Sequence, residues 1–269
     1  MLYPHSLLWH YLWVGTDVLL LALTLLTWRR QLYKLFPAFF VYLVFEVVQG
    51  FVLYAMDLTP GIGGDFYWSA ESASVLIEVL VKLAAIWELY SRLVAARPAV
   101  AKVGNRLIAC AWVALAALAL FAAARAPSVD YALRFVSRSQ ILNEGMYLVE
   151  AGLLLFIYVF AAHYHLTWSR QQHGIALGLS ISACVGVGVF AIYANRIFLE
   201  QWNYLNVFFG SVYQVCVLIW FYYLLSPTPQ SATSTDDGIS LESDGTRTNL
   251  RRLQRLQPAW FVRRSRSLP

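Results

Sequence analysis

The sequence predicts an all-α integral membrane protein, a seven-transmembrane-helix bundle with its N-terminus outside and its C-terminus in the cytoplasm. Three observations carry that expectation. Of the 269 residues, 59% are apolar and only 13% are charged, with a mean hydropathy of +0.58, more apolar surface than a water-soluble domain can cover. The charged residues are clustered between apolar runs of about 20 residues, the length that crosses a bilayer core as a helix. Runs such as Val18 to Thr27 and Leu107 to Ala124 are apolar on every side, whereas a β-barrel needs short stretches of strict alternation.

The spans fall in order at about residues 9–28, 36–55, 67–90, 107–124, 141–162, 174–193 and 205–225. The first has no Lys or Arg before it and no small-residue cleavage site after it, so it reads as a retained anchor rather than a signal peptide. Turn-rich or charged punctuation separates the runs: Trp28 to Arg30, Thr59 to Gly64, Arg97 with Pro98, Ala126 to Ser128, Ser169 to Gln172 and Glu200 to Asn203. Arg29, Arg30, Lys34, Arg92, Arg97, Lys102 and Arg106 lie after the first and third spans, while the N-terminus and the segment holding Asp57 and Asp65 have no Lys or Arg. Cationic loops stay in the cytoplasm, which fixes the orientation. Arg125, Arg134 and Arg138 run against the rule; the tail from Arg247 to Arg266 agrees with it. Trp9, Trp28, Trp68, Trp87, Trp168 and Trp202 stand near span ends, where aromatic belts anchor helices at the headgroups.

From Ser226 the composition turns to Ser, Thr, Pro, Asp and Gly, too polar to bury a core, so residues 226–269 are expected to be a disordered cytoplasmic tail. Within 249–264, Leu250, Leu253, Leu256 and Trp260 recur at near-helical spacing among Arg251, Arg252, Arg255, Arg263 and Arg264. That pattern suits a short surface-lying helix on anionic lipid headgroups; the plainer reading is a solvated basic tail that enforces topology.

Ionisable groups inside the spans are the informative chemistry, because each costs about 2.5–3.5 kcal/mol at mid-bilayer and must be compensated. Asp17, Glu46, Glu78 and Glu150 fall near mid-span in the first, second, third and fifth runs, as does Gln214 in the seventh. Lys82, the only lysine within a span, follows Glu78 by four residues, the spacing at which the two pair on one helix face. Tyr42, Glu46 and Gln49 share a face of the second span, and Asn143, Tyr147 and Glu150 a face of the fifth. Convergence of these faces would create a buried acidic pocket for a small ligand, proton or cation; otherwise the same residues glue helices together through hydrogen bonds. The charged third span is expected to be the central, shielded helix.

Gly174, Gly178, Ser182 and Gly186 recur every fourth residue as a ridge of minimal side chains, suited to close approach by another helix backbone. The remaining chemistry is thin. His163, His165 and His173 lack the spacing of a zinc protease helix, and Cys110, Cys184 and Cys216 lie in apolar runs with no metal-binding or disulfide pattern. No phosphate loop or nucleophile elbow occurs, and the seventh span has no lysine to hold retinal. No metal, cofactor or nucleic acid is implied. Sensing or transport is the leading functional expectation, in a cell membrane that the short loops suggest is the bacterial cytoplasmic one. The alternatives are an accessory subunit packed on a membrane-protein partner and an intramembrane enzyme acting on lipid.

Overall fold

Helices account for all the regular structure among the described residues. The computed structural model describes residues 7–59, 61–95, part of 101–121, 131–194 and 202–226. Six long helices result: α1 (Leu7–Arg29), α2 (Pro37–Leu58), α3 (Gly64–Val94), α4 (Tyr131–His163), α5 (Arg170–Ala194) and α6 (Trp202–Leu225). The described residues of 101–121 are helical as well. Five of the six, α1, α2, α4, α5 and α6, are long and apolar enough to cross a membrane. The expected tail helix with Arg251, Arg252, Arg255, Trp260, Arg263 and Arg264 lies outside the described residues.

The helix ends follow local chemistry. The α1–α2 connection turns through Gln31, which adopts a left-handed conformation (φ 56°), and α2 starts on Pro37, whose missing N–H costs nothing at a first helical position. The next two N–H groups of α2, from Ala38 and Phe39, donate to Glu88 Oε2 on α3 at 2.9 and 3.2 Å. A side chain from the neighbouring helix thus caps α2. At the α4–α5 connection His165 takes φ 49°, with Leu166 N–H donating to Ala161 O and His165 N–H to Ala162 O, a Schellman close. Ser169 then opens α5 with a capping box: Gln172 N–H donates to Ser169 Oγ and Ser169 N–H to Gln172 Oε1. Arg30 donates to Leu225 O at 2.8 Å, placing a cation on the carbonyl end of α6.

The helices form a closed ring in chain order, each packed on its neighbours and α6 packed back on α1. Directions follow from side-chain contacts. Trp13 meets Tyr54, Asp17 lies against Gly50, and Trp28 meets Phe40, so α1 and α2 are antiparallel. The pairs α2–α3, α4–α5 and α5–α6 are antiparallel too, as the contacts Phe39–Glu88, Tyr158–His173 and Gly178–Trp220 illustrate within each set. By contrast α3 and α4 run parallel, because Lys82 sits over the Tyr147 ring while Tyr90, further along α3, meets Phe160, further along α4. Gly104 comes so close to Tyr90 and Phe160 that a Cβ there would overlap the Tyr90 hydroxyl, so the chain at Gly104 packs against both helices.

Polarity runs inside out relative to a soluble protein. Asp17, Lys82 and Glu150 are buried to 7%, 7% and 3% exposure, whereas Leu80 and Leu155 are 64% and 65% exposed. Stripes such as Val14, Val18, Leu21 and Leu25 on α1, and Val41, Val44, Val48 and Val52 on α2, face outward at helical spacing. Such a surface matches hydrocarbon, not water. The hydroxyls of Thr16, Thr24 and Thr27 donate to the carbonyl four residues back, at 2.6, 2.8 and 2.7 Å, so α1 presents no unsatisfied threonine.

One expectation fails at this level. α3 is not a shielded central helix but a member of the ring, with Phe66, Leu76, Ile77, Leu80 and Trp87 exposed on its outer face. Its charges had suggested shielding; they are accommodated because Glu78, Lys82 and Glu88 all turn to the opposite, inner side. Along the ridge of Gly174, Gly178, Ser182 and Gly186, aromatic rings lie against the three glycines where a helix backbone was expected. A Cβ on Gly174 would strike Tyr223, one on Gly178 would strike Trp220, and one on Gly186 would strike Tyr147. Ser182 is buried within the same face.

Candidate functional site

Lys82 is the centre of the polar interior. Its Nζ pairs with Glu78 Oε1 at 2.6 Å, one turn earlier on α3, and both side chains are largely withdrawn from solvent. The ammonium also lies 5.7 Å from the ring centre of Tyr42 on α2 and 5.3 Å from that of Tyr147 on α4. Two aromatic faces and one carboxylate therefore replace the water that a buried ammonium loses. Glu150, one turn after Tyr147, lies within electrostatic reach of both Lys82 and Glu78, and its Oε1 has no hydrogen-bond partner. Glu78, Lys82, Tyr147 and Glu150, with Val79, Leu83 and Met146, enclose a cavity of about 10 Å³. That is room for one water molecule, which the unpartnered Glu150 oxygen can hold.

On the other side of Tyr42 the chain of polar contacts continues. The hydroxyls of Tyr42 and Tyr213 lie 2.9 Å apart, and Tyr213 donates to Glu46 Oε2 at 3.2 Å. Glu46 is within electrostatic reach of Glu78 and Lys82, and its Oε1 lacks a partner. Glu46 and Tyr213 also form one wall of a second, larger cavity of about 250 Å³ between α1, α2 and α6. Its remaining polar walls are Thr16, Asp17 and Gln49, and Trp13, Leu12, Leu20 and Leu53 supply the apolar ones. Asp17 reaches its place because Gly50 opposite has no side chain; a Cβ there would fall on the carboxylate.

Asp17, Glu46, Glu78, Lys82 and Glu150 thus line two cavities, and the Tyr42 ring stands between Lys82 of the first and Tyr213 of the second. Gln214 does not take part. Its Nε2 donates to Leu12 O at 3.3 Å and rests against Gly15, so it ties α6 to α1 as interhelical glue. The residue the sequence reading passed over is its neighbour Tyr213. Polarity at mid-span singled out the amide, but the rotation of α6 turns the tyrosine inward. Two further members, Gly50 and Gly210, carry no chemical signal and matter through the space they leave. Of the histidines, His173 packs among Tyr158, Trp168 and Tyr223, away from both cavities.

Three carboxyls, Glu46, Glu78 and Glu150, surround one ammonium in an environment with little water. The pair Glu78–Lys82 is internally neutral. The other carboxyls avoid an uncompensated buried charge by carrying a proton or by holding a cation. Among the described residues no three His, Cys, Asp or Glu side chains come together as a metal ion requires. Compared with protein-family models, curated proteins and solved structures, the chain matches none.

Proposed function

We propose that this chain is a seven-pass membrane protein, N-terminus outside and C-terminus in the cytoplasm, whose buried acidic pocket senses or transports a small ligand, a proton or a cation. The carrying observation is the buried polar set of Asp17, Glu46, Tyr213, Tyr42, Lys82, Glu78 and Glu150, drawn from five helices and bordering two cavities, with Tyr213 hydrogen-bonded to Glu46 and Tyr42 and Lys82 paired with Glu78. Packing alone does not require cavities with unpartnered oxygens of Glu46 and Glu150 in their walls.

The count of seven is supported by chain direction. With α3 and α4 parallel, a further crossing between Val94 and Tyr131 would bring the chain back, and Gly104 packs against Tyr90 of α3 and Phe160 of α4. With α3 spanning by virtue of its apolar outer face, the six long helices and this return make seven passages. Arg29, Arg30, Lys34, Arg92 and Arg170 gather at the end where α1, α3 and α6 finish and α2 and α5 begin, which the positive-inside rule assigns to the cytoplasm. A cell membrane, in particular a bacterial cytoplasmic one, is the expected location, with the basic 249–264 segment resting on anionic headgroups. Membrane-impermeant thiol labelling checks the topology: a cysteine introduced at Ala95 reacts from the cytoplasmic side, and one at Gly61 from outside.

The pocket is tested by replacing Glu78 and Glu150 singly with Gln and recording tryptophan fluorescence against pH in detergent. Trp220, edge-on to Tyr42 at 6.0 Å, reports on the site. The expected result is a pH-dependent transition in the parent that shifts or disappears in both variants while both remain folded. Folded variants with an unchanged transition reduce these residues to helix glue. The accessory-subunit reading rests on the buried charges and the glycine ridge, and the chain's own Tyr223, Trp220 and Tyr147 occupy the ridge.

A further inference from the structure

The cavity between α1, α2 and α6 has a donor–acceptor balance that specifies its occupant. Asp17 is 7% exposed and its carboxylate lines the cavity. Glu46 presents Oε1 and Gln49 its Oε1, neither with a partner. The hydroxyls available as donors are already committed, Thr16 to Leu12 O at 2.6 Å and Tyr213 to Glu46 Oε2. The unpartnered oxygens of Glu46 and Gln49 and the Asp17 carboxylate thus line one cavity. With the two carboxylates ionised, an occupant that satisfies them brings hydrogen-bond donors and positive charge.

The rest of the lining sets the occupant's shape. Leu12, Leu20, Leu53 and the Trp13 ring form an apolar wall, and the cavity of about 250 Å³ exceeds the about 150 Å³ that accepts a benzene ring. An aromatic face beside a carboxylate suits an ammonium with an apolar body. A bare metal ion would need a shell of converging ligands, which the described residues do not assemble. The remaining space is real, since a Cβ built on Gly210, which lines the cavity from α6, meets nothing within 4 Å.

We propose that this cavity binds a primary organic ammonium with a compact apolar body, its N–H groups held between Asp17 and Glu46 and its body against Trp13 and the three leucines. The inference rests on the pocket reading above and names its ligand class. It also links the ligand to the rest of the polar set, because Glu46, which takes one end of the ammonium, is the acceptor of the Tyr213 hydroxyl.

The test uses the full chain in detergent, titrated with butylamine, cyclohexylamine and 2-phenylethylamine and with the corresponding alcohols. Tryptophan fluorescence and the thermal midpoint are the readouts. At least one amine is expected to saturate the signal and raise the midpoint, with its alcohol about tenfold weaker or worse. Asp17→Asn is expected to weaken the amine by a similar factor. Gly210→Leu fills the space without removing a charge, so a folded variant is expected to lose binding. The proposal is overturned if none of the three amines saturates, if the alcohols bind equally well, or if Gly210→Leu binds as the parent does. The pH transition of Glu78 and Glu150, read on the same preparation, separates the two ideas. A transition without amine binding ends this inference and keeps the proton-sensitive pocket; amine binding without a transition does the reverse.

Discussion

Lys82 survives burial because its surroundings divide the work: Glu78 matches its charge, and Tyr42 and Tyr147 cover its remaining faces. Removing one member of such a pair is costlier than removing both, since a lone buried charge remains. Lys82→Met is therefore expected to destabilise the bundle by about 3–5 kcal/mol, with Lys82→Met/Glu78→Gln recovering a substantial part in a double-mutant thermal series. Glycine is decisive at a second position. Gly50→Ala places a methyl on the Asp17 carboxylate and should cost about 1–3 kcal/mol, whereas Gly210→Ala, which meets open space, should be close to neutral in the same assay. The Glu78–Lys82 pair was legible because a four-residue spacing guarantees a shared face in any helix. Tyr213 was not, because the choice between it and Gln214 depends on how α6 rotates against α1 and α2, and two adjacent polar residues carry no signal about that rotation.

Helix existence was legible from apolar run length, but helix extent was not. α4 begins at Tyr131, ten residues before the expected start at 141, and α3 covers Gly64–Val94 against an expected 67–90. Hydropathy marks the stretch that suits hydrocarbon, while backbone hydrogen bonds carry a helix onward into more polar surroundings. Caps show the same division. The Ser169–Gln172 box has a sequence signature, and Ser169→Ala is expected to lower stability by about 1 kcal/mol in thermal unfolding. Glu88 has none, since the helix it caps lies 49 residues away along the chain. Glu88→Ala should cost about 1–2 kcal/mol and raise amide exchange at Ala38 and Phe39. His165, held at φ 49°, gives the opposite sign: His165→Gly relieves a left-handed strain and is expected to stabilise slightly, by a few tenths to about 1 kcal/mol.

For the whole molecule, composition alone identified a bundle in lipid, and the exposed valine and leucine stripes agree with it. The closed ring and the parallel neighbours α3 and α4 were invisible beforehand, because spans of similar hydropathy can be ordered around a bundle in many ways and only specific contacts choose among them. The ring explains how one chain carries so many buried ionisable groups. Buried polar side chains of the described helices turn to the interior, while apolar ones such as Leu80 of α3 and Leu155 of α4 lie exposed on the other side. A reporter inserted between residues 125 and 130 is expected to face the side opposite to one at Ala95, which distinguishes seven passages from six.

The Glu88 cap also imposes an order on assembly. α2 is synthesised before α3, so the N–H groups of Ala38 and Phe39 first rely on water. They exchange it for a carboxylate only when the far end of α3 arrives beside them. The α2–α3 hairpin is then latched at its open end, opposite the turn, with the latch set by the last turns of α3 to emerge. A nascent chain cut short before Glu88 would hold both helices yet leave that latch unset, making the hairpin's closure an event tied to a definite point in synthesis.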